Sequence, residues 1–169
     1  MSAVAPTVSG EHPEARLAAL SLVLPPLATP VAAYVPAVRS GSLVWTSGQL
    51  PLVDGALLAT GKVGAEVTAE VAKELARTCA LNALAAVKSQ IGDLALVQRV
   101  VKVVGFVASS PDFTGQPGVV NGASELLGAV FGSAGAHARS AVGVAALPMD
   151  APVEVELVVE VADPVATAP

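Results

Sequence analysis

Two segments limit what this chain can fold into. VQRVVKVVGFVAS (97–109) and VEVELVVEVA (153–162) are dense in β-branched residues, which favour strand over helix. Side chains alternate across a sheet, yet in both segments apolar residues fall on both faces. A sheet built on them needs cover on two sides. Two helical segments can cover one side. Nothing else in the chain can cover the other, so further copies of it are expected to. Composition points the same way. Aromatic residues are 3% of the chain, so the core must be built from Val, Leu and Ala. Charged residues, at 14%, are too few to coat a monomer.

The strongest helical segment is 68–92. Val71, Leu75, Thr78/Cys79, Ala83 and Val87 recur at helical spacing, Thr68 can cap the start and Gly92 can follow the end. A second helix is expected over 115–132, with Val120, Ala123, Leu127 and Val130 on its buried face. Residues 32–50 read as two short strands around the turn RSGS (39–42), and Asp54–Gly55 signals a tight hairpin within 51–61. Strands are also expected at 138–147 and 153–162. The order is β-β-β-α-β-α-β-β, an α+β fold with one sheet packed on two helices. The 169 residues fit one domain. Its expected limits are 32–162, after an N-terminal extension (1–31) with a short helix at 12–22 and a Pro-rich linker at 23–30, and before a tail at 163–169. Residues 1–11 are expected to be disordered.

Several function classes lack their residues. The net charge is −5 and the nine basic residues are scattered, which disfavours nucleic acid. His12 and His137 lie far apart with no cysteine at metal spacing, so no metal site is expected. The sequence has no Walker loop, no dinucleotide-binding glycine fingerprint and no G-x-S-x-G elbow. No apolar run is long enough to cross a membrane, no secretory signal opens the chain, and the lone Cys79 fits a reducing compartment. A cytoplasmic protein is the expectation.

One charge stands out. Arg139 lies in HARSAVGV (137–144) and shares a strand face with Ala141 and Gly143, which leave room beside its head group. A guanidinium keeps its charge and is costly to bury unpartnered, so either a protein carboxylate or an acidic ligand should meet it. Glu154, Glu156 and Glu160 alternate along the last strand. A hairpin across AALPMDAP (145–152) would set those acids beside the arginine strand. In WTSGQLP (45–51), Ser47 and Gly48 end a strand where a ligand could approach the backbone. Tyr34 and Asn121 each have an ordinary reading, as an amphipathic edge residue and a polar helix-face residue.

Taken in order, YVPAV (34–38), WTSGQLP (45–51), GDLALVQRVVKVVGFV (92–107), VVNGASELLGAVFG (119–132), HARSAVGVAALP (137–148) and VEVELVVEV (153–161) resemble the RidA family, also called YjgF or endoribonuclease L-PSP. Within it the wording is similar to a longer-chain subgroup. The resemblance implies a chorismate-mutase-like fold and a homotrimer whose sheets form a central barrel, with three clefts between subunits. It also implies hydrolysis of reactive 2-imino acids to 2-keto acids and ammonia, without metal or cofactor. Arg139 matches the family's carboxylate-binding arginine and Glu154 the acid that positions water. Tyr34, Ser47, Gly48 and Asn121 match the residues around the ligand. Two departures stand out: Ala141 replaces a cysteine, and Ala32–Ala33 stand where a glycine is usual. A non-catalytic trimer that binds a small carboxylate, as a sensor or accessory protein, is the competing reading. A ribonuclease is disfavoured by the charge.

Overall fold

The computed structural model describes residues 12–27 and 33–162. The expectations for 1–11, 163–169 and the linker beyond Leu27, with Ala32, lie outside them. A short helix, α1 (Pro13–Ala19), comes first, with Pro13 in its first turn and the His12 side chain accepting from the Glu14 amide. Strands β1 (Ala37–Ser40) and β2 (Leu43–Thr46) pair antiparallel around Gly41, whose φ is +61°. Then β3 (Leu52–Val53) and β4 (Ala56–Leu57) form a separate hairpin, so the third expected strand does not join the main sheet. Its turn residues Asp54 and Gly55 both have positive φ, as a type I′ turn requires.

Helix α2 (Ala69–Ile91) starts on Thr68, whose hydroxyl accepts from the Val71 amide, and stops at Gly92 with φ +80°. Its buried stripe includes Leu75, Cys79, Ala83 and Val87, but Val71 is 48% exposed and the burial begins at Ala72 instead. Strand β5 (Val97–Ala108), helix α3 (Gln116–Phe131) and strand β6 (Ala138–Val144) follow, and β7 (Val153–Val161) ends the described chain. The main sheet has the order β1-β2-β7-β5-β6, with only β5 and β6 parallel.

That order corrects the expected hairpin between the arginine strand and the last strand. β5 separates β6 from β7. The reason lies in the connection: β5 and β6 are joined through α3, a crossover long enough for parallel neighbours, which gives β6 one edge of β5 and leaves β7 the other.

Both large helices cover one sheet face. Val100, Val103 and Val107 of β5 and Val153, Val155, Leu157 and Val159 of β7 are buried beneath them. Small residues set the closeness of this layer. A Cβ at Gly105 would meet the Val120 side chain, and one at Gly122 would run into the backbone carbonyl of Lys73 on α2. Backbone cannot yield as a flexible side chain can, so Gly122→Ala should cost about 2–4 kcal/mol. Thermal unfolding should show it as a Tm lower by roughly 5–15 °C; an unchanged Tm would mean the helices can separate without loss.

The opposite sheet face has no cover among the described residues. Trp45 of β2 is 48% exposed, Val38 of β1 51% and Val142 of β6 44%. α1 instead seals the far side of the helix layer, with Leu17 buried and Glu14 paired to Lys88 at 2.8 Å.

Candidate functional site

Pro117, Asn121 and Ser124 are spaced four and three residues apart, so they share one stripe of α3. That stripe lies against β6 and receives Arg139. Nη1 of Arg139 donates to Asn121 Oδ1 at 2.7 Å and to Ser124 Oγ at 3.1 Å; Nη2 donates to the Pro117 carbonyl at 3.2 Å. All three acceptors are neutral, and among the described residues no carboxylate forms an ion pair with Arg139. Both protons of Nη1 are used, which leaves Nε–H and one Nη2–H of the five donors. Ala141 and Gly143 continue the same strand face, and the Gln116 amide lies over Gly143.

A second group sits where β2 meets β7. Trp45 stands opposite Val158 and Gln49 opposite Val155, so β2 carries one residue more than β7 between these pairs, the mark of a bulge. The Thr46 hydroxyl accepts from the Leu157 amide at 2.9 Å. Ser47 is turned toward the chain before β1: its amide donates to the Pro36 carbonyl and its hydroxyl to the Val35 carbonyl. Gly48 follows in the bulge, and the Glu154 carboxylate lies on its Cα, in the space a Cβ would take. Tyr34 is 53% exposed nearby in sequence. Burial raises the Glu154 pKa above the ordinary carboxylate value, and the like charge of Glu156 adds to the rise. Burial alone raises Glu156.

The structure thus sorts the sequence candidates into two groups. Arg139 and Asn121 are in contact, with Ala141 beside them; Ser47, Gly48 and Glu154 gather at the bulge. The groups do not meet within one chain. Arg139 stands opposite Val103 on β5, whereas Glu154 stands opposite Phe106, three residues further along the same strand. An odd offset places the two side chains on opposite faces of the sheet. Two surface clefts, of about 170 and 260 Å³, lie among α1, α2 and α3 and the β4 loop, and contain none of the candidates.

Sequence reasoning missed Ser124 and His137. His137 Nε2 lies 2.9 Å from Ser124 Oγ, and its Nδ1 lies 2.6 Å from the Gly135 carbonyl. Two signals were available: Ser124 falls one helical turn after Asn121, and His137 falls two residues before Arg139, hence on the same strand side. Among the described residues, no three His, Cys, Asp or Glu side chains cluster as a metal site would need, and no helix is long and apolar enough to cross a membrane.

Sheet order, two-helix layer and parallel crossover define a chorismate-mutase-like α+β protein. The chain belongs to the YjgF/RidA family: residues 14–161 match the family model described as "YjgF/chorismate mutase-like, putative endoribonuclease". Protein TCP17 of Trypanosoma cruzi is 48% identical over 147 residues, covering 86% of this chain and 92% of that protein. The crystal structure of Atu1372, a protein of unknown function from Agrobacterium tumefaciens, is 46% identical and superposes with a TM-score of 0.84, covering 89% of this chain and 92% of its own. E. coli TdcF, solved with bound serine, is 25% identical with a TM-score of 0.57, covering 82% and 94%.

Proposed function

We propose that this protein hydrolyses small 2-imino acids to 2-keto acids and ammonia, in clefts between the subunits of a homotrimer. The observation that carries the reading is Arg139: a fixed, permanently charged guanidinium, held only by neutral acceptors, with donors left over. A carboxylate ligand matches that vacancy in charge and in geometry. The serine bound to TdcF is a small molecule bearing such a carboxylate.

Assembly follows from the two separated groups. One subunit offers Arg139 and Asn121 beside α3; a neighbour offers Tyr34, Ser47, Gly48 and Glu154 from its bulge. Packing of the exposed face around Trp45, Val38 and Val142 against other copies removes apolar surface from water and supplies the missing cover. In the cleft the arginine fixes the carboxylate of the imino acid. Glu154 takes a proton from water as the water oxygen bonds to the imine carbon. The imine π pair moves to nitrogen, which takes that proton and leaves a carbinolamine; Glu154 then passes the hydroxyl proton to nitrogen as the carbon–nitrogen bond breaks, so that ammonia leaves and the oxygen becomes the keto group. Ala141, smaller than the cysteine usual there, leaves space for a larger substrate side chain.

RNA cleavage, suggested by the names of relatives, fits less well. The net charge is −5, and Lys73, Arg77 and Lys88 are each paired with an acid. The test is direct. Imines made in place by an amino-acid oxidase should release ammonia faster when the protein is present. Binding of 2-keto acids with no gain in ammonia release, across a broad panel of amino acids, would instead support a carboxylate-binding trimer without catalysis.

A further inference from the structure

We propose that Ser124 and His137 are positioning residues for the arginine clamp, forming a relay of hydrogen bonds that ends on the backbone of Gly135. The inference rests on the reading of Arg139 as a carboxylate clamp and adds what aims it.

The direction of every bond in the relay follows from its ends. The Gly135 carbonyl can only accept, so Nδ1 of His137 carries a proton and donates to it at 2.6 Å. In the neutral ring Nε2 is then an acceptor, and the Ser124 hydroxyl donates to it at 2.9 Å. The lone pairs of Ser124 Oγ stay free for Arg139 Nη1 at 3.1 Å. Without His137 the hydroxyl could rotate and lose that alignment.

The root of the relay is firm. Gly135 is buried, and a Cβ there would run into the Leu127 carbonyl, so its backbone is packed directly on α3. Ser124 is fixed on the same helix. The relay therefore ties β6 to α3 through side chains at the point where the guanidinium leaves the strand. An arginine has long, freely rotating bonds, and ordering it when a ligand arrives costs binding free energy. Prior restraint of Nη1 by Asn121 and Ser124 removes part of that cost. It also selects the edge on offer: with both Nη1 protons engaged, the ligand meets Nε and Nη2.

The test titrates 2-oxobutanoate into the whole protein by calorimetry, at a pH where histidine is neutral. Wild type should bind and Arg139→Ala should not. Ser124→Ala and His137→Asn should each weaken binding about 5- to 30-fold. His137→Gln, which returns an acceptor for the serine hydroxyl, should recover binding to within about 3-fold of wild type. In turnover assays Ser124→Ala and His137→Asn should raise KM with kcat little changed, a split that general loosening of the fold would not give. Nitrogen-15 spectra of the imidazole should show the Nδ1–H tautomer. If Arg139→Ala abolishes binding while Ser124→Ala and His137→Asn bind as wild type does, the relay is overturned and the clamp stands. An Nε2–H tautomer would overturn the relay as well. Failure of wild type to bind any carboxylate would remove the clamp, and the relay with it.

Discussion

Arg139→Ala should lower kcat/KM for 2-imino acids by at least about 100-fold, the scale expected when one partner of a hydrogen-bonded charge pair is removed. It should also abolish the thermal stabilisation given by 2-keto acids. The fold should hardly notice. The partners left behind are the Asn121 amide, the Ser124 hydroxyl and the Pro117 carbonyl, all neutral and near solvent, so Tm should move by only a few degrees. Arg139→Lys keeps the charge but loses the planar fork, and should fall between wild type and alanine. The proposed sharing of each cleft by two subunits makes a stronger prediction. Arg139→Ala and Glu154→Gln should each be nearly inactive alone, but a trimer mixing them would contain one cleft with both intact halves. Random co-assembly in equal amounts should restore about a quarter of wild-type activity. No recovery, with mixed trimers shown to form, would mean that both groups act from the same subunit.

The parts of this architecture that were legible in the sequence are those governed by local rules. Thr68 and Gly92 bound α2 because an N-cap acceptor and a left-handed C-terminus are properties of single residues. Asp54–Gly55 forms its hairpin for the same reason. The alternation in 138–147 placed Arg139, Ala141 and Gly143 on one face, where the register with β5 puts them. The pairing of strands was not legible, since insertion of β5 between β6 and β7 depends on a long-range crossover and not on the short connection 145–152. Val71 failed as a core residue because periodicity gives a stripe without its edges, and the closely packed alanines take the interior. His137 and Ser124 were hidden because the histidine precedes its strand, and only the fold brings the helix to it.

Glu154→Gln should reduce kcat by about 10²–10⁴-fold with a smaller change in KM, because in the proposed reaction the lost group takes a proton from water and does not bind the carboxylate. The pH dependence identifies it further. Burial, then the like charge of Glu156, raises the Glu154 pKa above the ordinary value, so the acid limb of the activity profile should lie closer to neutral than an exposed carboxylate would place it. Glu156→Gln removes the second cause, and that limb should shift to lower pH. Stability carries the same signature with its own sign. Between the unfolded and the folded pKa of Glu154, the native protein holds more protons than the unfolded chain, so stability must fall as pH rises through that window. Glutamine cannot titrate and should flatten this slope while making the protein more stable above the window. A residue that positions water should therefore be destabilising where it is active, and its replacement should raise Tm at neutral pH while it stops turnover. If Tm and activity fall together, Glu154 supports the fold around Gly48 and the acting base lies elsewhere.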